Sequence, residues 1–127
     1  MTGNEYQKLA MRTNDHESSY RLGKALCKSE NEGRIDFGGF MMACLGLSGE
    51  VGEFNDMMKK VIFHESDFDE EHAKKELGDI CWYVAMMCES FGWRLNDILD
   101  INIGKLQKRY PNGFDVDLAN HREVGDV

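Results

Sequence analysis

A five-residue pattern that occurs twice constrains this chain more than any other feature. Glu50-Val51-Gly52-Glu53-Phe54 is matched by Glu76-Leu77-Gly78-Asp79-Ile80: acid, apolar, glycine, acid, apolar, with starts 26 residues apart. Residues three apart on a helix share one face, so each copy directs two carboxylates the same way. Apolar stripes run beside them: Leu47, Val51, Phe54, Met58 and Val61 in the first, Leu77, Ile80, Cys81, Val84 and Cys88 in the second. At ~100° per residue, both acid pairs fall on the same shoulder of their stripe. Antiparallel packing of the stripes therefore converges Glu50, Glu53, Glu76 and Asp79 at the edge of the core. Four such groups repel one another, and the oxygen donor set suits a hard divalent cation, magnesium or manganese. Gly52 and Gly78 each cost a helix interior ~1 kcal/mol against alanine. The same loss at the same motif position predicts a close approach at both. The plainer alternative is two amphipathic helices with solvated acidic shoulders.

At 127 residues the chain is expected to form one domain over 1–127, able to bury a core without disulfides. Its one proline and eight methionines fit a largely helical fold. The formal charge of −8 argues against a nucleic-acid partner, because a polyphosphate backbone would be repelled. A small anionic substrate remains compatible if a bound metal and local cations reverse the field. The four cysteines lack zinc-site spacing, and Cys81 and Cys88 are expected to be buried small hydrophobes. Neither a signal peptide nor an apolar run long enough for a membrane span is visible, so the chain reads as cytoplasmic and without a membrane partner.

Along the chain, a short helix over 4–12 would turn Tyr6, Leu9 and Ala10 inward. Residues 13–34 read as an irregular insertion or loop, with a weak helix around Tyr20–Lys28. A long helix starts at an Asp36 cap and runs to about Phe63. Ser66 or Asp67 can cap the next, which runs to Ser90 and stops at Gly92. Asn96 can cap a last helix ending before Pro111, with Leu99, Ile103, Leu106 and Tyr110 inward. Residues 112–127 read as a polar tail. No strand pattern appears. The fold class is all-α, a bundle of about three main helices plus short ones.

Further residues suit an anionic ligand. Lys60 lies two turns after Glu53 on the same face, and Asn102, Lys105 and Arg109 share a face of the last helix. An amide, an ammonium and a guanidinium in a row suit oligophosphate oxygens, although solvated surface positions would show the same spacing. Tyr83, one turn after Asp79, and its neighbour Trp82 can flank a base or sugar, or belong to the core. His72 sits in an acidic helix start and reads as structural or solvated.

The ExxE pair, a gap of 22 residues and then ExxD resemble the MazG-like all-α nucleoside triphosphate pyrophosphohydrolases. The resemblance extends through Glu5-Tyr6-Gln7 to Met11-Arg12-Thr13, Leu45-Gly46-Leu47-Ser48-Gly49-Glu50, Trp82-Tyr83, and Asn102-Ile103-Gly104-Lys105-Leu106 to Arg109-Tyr110-Pro111-Asn112-Gly113-Phe114. Gly49 departs from it, since many relatives carry a further glutamate there. The resemblance implies that Glu50, Glu53, Glu76 and Asp79 bind Mg²⁺, with Mn²⁺ as substitute, and that Glu53 or Glu50 takes the proton from water. It implies that Lys105, Arg109, Asn102 and Lys60 hold the triphosphate of a nucleotide, a deoxynucleotide by preference, giving a monophosphate and pyrophosphate. It also implies a homodimer or homotetramer.

Other readings stay open. Phosphoribosyl-ATP hydrolysis uses the same architecture, and a non-catalytic metal- or nucleotide-binding bundle would carry the same acids. A ferritin-like di-iron site needs ExxH motifs, and the chain offers only Asp69-x-x-His72.

Overall fold

Two long helices packed side by side organise the described part of the chain. The computed structural model describes residues 1–121. Its helices are α1 (Gly3–Ala10), followed by a 3₁₀ turn at Met11–Thr13, then α2 (Ser18–Glu32), α3 (Phe37–Phe63), α4 (Glu70–Phe91), α5 (Leu95–Arg109) and α6 (Val116–Asn120). The fold is all-α, with no strand among the described residues. None of its helices is long and apolar enough to cross a membrane. The chain divides into two compact units, Met1–Phe91 and a second from Gly92 onward.

The α3–α4 hairpin forms the core of the first unit. Asp36 caps α3, as its spacing predicts, by accepting from the Gly39 N–H at 3.0 Å. Its own N–H donates to the Ser90 carbonyl at 2.9 Å, tying the start of α3 to the end of α4. Phe40 packs edge-on against Phe91 (5.1 Å between ring centres) at that closed end. Asp69, one residue before α4, accepts from the His72 N–H at 2.9 Å and does the capping expected of Ser66 or Asp67. Gly92, with φ +66, ends α4.

The seam between the helices is built from small residues. On α4 the inward positions are Ala73, Glu76, Ile80, Tyr83, Met87 and Ser90, spaced alternately three and four apart. On α3 they begin Gly39, Ala43, Gly46 and Glu50. A Cβ at Gly46 would overlap the Tyr83 ring, and one at Gly39 would meet the Asp36 carboxylate and the Ser90 hydroxyl. Close approach therefore belongs to Gly39 and Gly46. Gly52 and Gly78, from which it was expected, face open space.

The expected stripes hold in part. Leu47, Phe54, Met58, Val61, Ile80, Val84 and Cys88 are buried or half-buried, whereas Val51, Leu77 and Cys81 are exposed. Close packing follows the small side chains, so the seam runs along them and not along the bulkiest apolar row.

Residues 13–34 are not an irregular loop. Glu17 N-caps α2, and Gly33 (φ +59) closes it by donating its N–H to the Ser29 carbonyl at 2.9 Å. Ala25 and Ser29 are its half-buried positions. So few apolar residues leave almost no periodic signal in the sequence. In α1, Thr2 and Glu5 form a reciprocal capping box, but Tyr6 and Leu9 are exposed and only Ala10 is half-buried.

In the second unit, α5 begins after an Arg94 N-cap that makes no side-chain cap, ahead of the expected Asn96. Leu99, Ile103 and Leu106, expected inward, are exposed, while Tyr110 is half-buried against Phe114 (5.5 Å between ring centres). The expected polar tail contains α6, capped by Asp115, and its last part, 122–127, lies outside the described residues.

Candidate metal centre and adjoining cleft

The antiparallel register sets Glu50 of α3 opposite Glu76 and Asp79 of α4. One carboxylate oxygen from each lies within 4.8 Å of the other two. Glu50 and Glu76 sit in the seam itself and Asp79 at its exposed edge. Glu76 is only 9% exposed. Its Oε1 lies 2.8 Å from His72 Nε2, and its Oε2 is buried with no hydrogen-bond partner.

That combination is costly as it stands. A buried carboxylate oxygen without a partner loses its hydration and gains nothing in return. Glu50 registers the crowding: its carboxyl is pushed above its usual 4.5, first by lost hydration and then by the charges of Glu53, Asp79 and Glu76. Oxygen donors that repel one another around an orphaned atom match the coordination chemistry of a hard divalent cation. Glu50, Glu76 and Asp79 are the residues that fit it.

Glu53 stands outside this group of three. It lines an adjoining cleft of about 570 Å³, with Gly49, Gly52, Asp56 and Lys60 of α3 on one side and Ser66, Asp67, Asp69 and His72 on the other. Gly49 and Gly52 add no side chains to the α3 wall, which Glu53, Asp56, Met57, Lys60 and Val61 otherwise line.

Lys60 also reaches this cleft, but Asp56 holds it, Nζ to Oδ2 at 2.8 Å. Lys59 contacts the other oxygen of Asp56. These two ammonium groups, Lys59 first, draw the Asp56 carboxyl down to about 2, and the same hydrogen bond raises the Lys60 pKa. Exposed pairs of this kind add little to stability, because water and salt screen them, so a phosphate could displace Asp56 at small cost.

Tyr83, expected beside a base or sugar, has its ring committed to the space over Gly46 and meets Trp82 edge-on at 4.9 Å. Asn102, Lys105 and Arg109 share one face of α5, in the second unit. The Arg109 guanidinium lies 5.9 Å from the centre of the Tyr110 ring.

From the sequence, His72 reads as structural or solvated and Asp56 draws no attention. The signal for His72 was its position four residues before Glu76, where helical side chains meet.

The model of the MazG nucleotide pyrophosphohydrolase domain matches residues 41–114, which take in both acid pairs and the cationic face of α5. The chain belongs to the MazG family. A MazG-family assignment makes this a member of a nucleotide pyrophosphohydrolase group, in keeping with an acid cluster able to hold a metal. Among curated proteins, the Gene 37 protein of Mycobacterium phage L5 is 30% identical over 79 residues, which cover 59% of this chain and 69% of the phage protein. No solved structure matches the chain.

Proposed function

We propose that this protein is a Mg²⁺-dependent nucleoside triphosphate pyrophosphohydrolase, acting on a deoxynucleotide and releasing the monophosphate and pyrophosphate. The observation that carries the proposal is the meeting of Glu50, Glu76 and Asp79, one of them with a buried and unpartnered oxygen (Glu76 Oε2), in a chain of the MazG family. Bound there, the cation would polarise phosphoryl oxygens and lower the pKa of a coordinated water.

The protein's own groups supply the rest. Glu53, exposed at the mouth of the cleft and outside the group of three, is the carboxylate left to accept a proton from water. Lys105, Arg109 and Asn102 are the side chains proposed for the β- and γ-phosphates; Lys60 would reach a phosphate oxygen by giving up Asp56. The active form is a homodimer or homotetramer working in the cytoplasm.

The test is pyrophosphate release from a panel of ribo- and deoxynucleoside triphosphates with Mg²⁺, repeated in ¹⁸O-water. Attack at the α-phosphorus puts the label in the monophosphate and none in pyrophosphate. Orthophosphate and a diphosphate as primary products would overturn the assignment.

A further inference from the structure

His72 looks at first like an ordinary pair partner for an acid one turn along α4. Such pairs at a helix surface contribute little to stability. Two observations separate this one from that background. Glu76 is only 9% exposed, and its Oε2 is buried with no hydrogen-bond partner. The other oxygen, Oε1, lies 2.8 Å from His72 Nε2, and the same carboxylate meets those of Glu50 and Asp79. A glutamate side chain has three rotatable bonds, and His72 is what holds this one by its head group.

We infer that His72 is a positioning residue of the metal centre: by occupying Oε1 it fixes the Glu76 carboxylate and leaves Oε2 for the ion. A carboxylate that ligates a metal has no proton to give, so in the loaded site Nε2 is the donor. Ligating carboxylates are commonly held by such outer hydrogen bonds, whose loss weakens metal affinity by about 10–100-fold. His72 also lines the cleft that Glu53 and Lys60 face. It therefore touches both the acid cluster, through Glu76, and the cleft where a substrate would lie. The inference rests on the metal site of the proposed function.

Mn²⁺ alone is the probe, its binding to the full chain followed by electron paramagnetic resonance of the free ion. His72→Ala should weaken Mn²⁺ binding by about tenfold or more, with helical content by circular dichroism unchanged. Alanine is the better helix former, so lower affinity in this variant cannot be put down to a weaker α4. His72→Gln keeps an N–H donor at similar reach and should recover most of the affinity. Wild-type binding in His72→Ala, alongside abolished binding in Glu76→Gln, overturns the inference and leaves the metal site standing. A loss in His72→Ala that His72→Gln does not recover also overturns it, because the hydrogen bond would then not be the cause. Undiminished binding in Glu76→Gln overturns the metal site and the inference together.

Discussion

Glu50 shows how much free energy one side chain can tie to an absent charge. Its carboxyl holds a proton to higher pH in the folded protein than in the unfolded chain, through lost hydration and then the charges of Glu53, Asp79 and Glu76. The sign follows from linkage: Glu50 favours folding below its ordinary 4.5, and that contribution is lost as pH rises through the raised folded value. Metal-free protein should therefore lose stability as pH rises across this window. Glu50→Gln should flatten the decline and be the more stable form near neutral pH. Urea titrations in EDTA from about pH 4 to 8 read this directly, and an unchanged slope in the variant would refute it. Asp56, with its carboxyl near 2, titrates below that window and does not confuse the result. The glycines separate just as cleanly. Gly46→Ala forces a methyl into the Tyr83 ring and should destabilise by about 1–3 kcal/mol, the usual range for overpacking. Gly78→Ala meets open space and should stabilise by ~0.5–1 kcal/mol. Chemical denaturation of the two variants checks both signs.

At the scale of elements, legibility followed the strength of local signals. The α3 start at Asp36, the α4 stop at Gly92 and the α5 end before Pro111 were all readable, because caps and breakers act within a few residues. The meeting of Glu50 with Glu76 and Asp79 was readable too, since helical spacing and an antiparallel pair determine it. The close approach at Gly39 and Gly46 was not. The apolar stripes run through Val51, Leu77 and Cys81, while the packing follows Gly39, Ala43 and Gly46, which carry almost no hydrophobic signal. Helix α2 was hidden for the same reason. For α5 the functional expectation remains the cationic face, and it has a direct test. Lys105→Ala or Arg109→Ala should weaken binding of a non-hydrolysable triphosphate by about 1.5–3 kcal/mol for each charge-assisted hydrogen bond to phosphate that is removed. Binding of the matching nucleoside should change far less. Calorimetric titration with both ligands distinguishes the cases, and equal weakening would mean these side chains act through folding.

The whole molecule is short of core. Ala43, Ala73 and Cys88 are its buried hydrophobic residues among those described, although 42% of the chain is hydrophobic. Larger side chains lie open instead: Met42, Leu45, Val51 and Ile62 on α3, Leu77 and Trp82 on α4, Leu99 and Ile103 on α5. Burying apolar surface is worth roughly 25 cal/mol per Å², so leaving this many large apolar side chains open costs a chain that stands alone. Packing against further copies of the chain answers the deficit and agrees with the proposed homo-oligomer. Sedimentation equilibrium should return a mass that is a multiple of 14.6 kDa, and the thermal midpoint should rise with protein concentration, as for any fold stabilised by association. Leu45 is 70% exposed and takes no part in the acid cluster. Leu45→Glu therefore leaves the α3–α4 seam intact while placing a charge on the open face. It should lower the mass or weaken the concentration dependence, with helical content retained. A wild-type chain that sediments as a 14.6 kDa monomer, with a midpoint independent of concentration, would show that the thin core suffices alone.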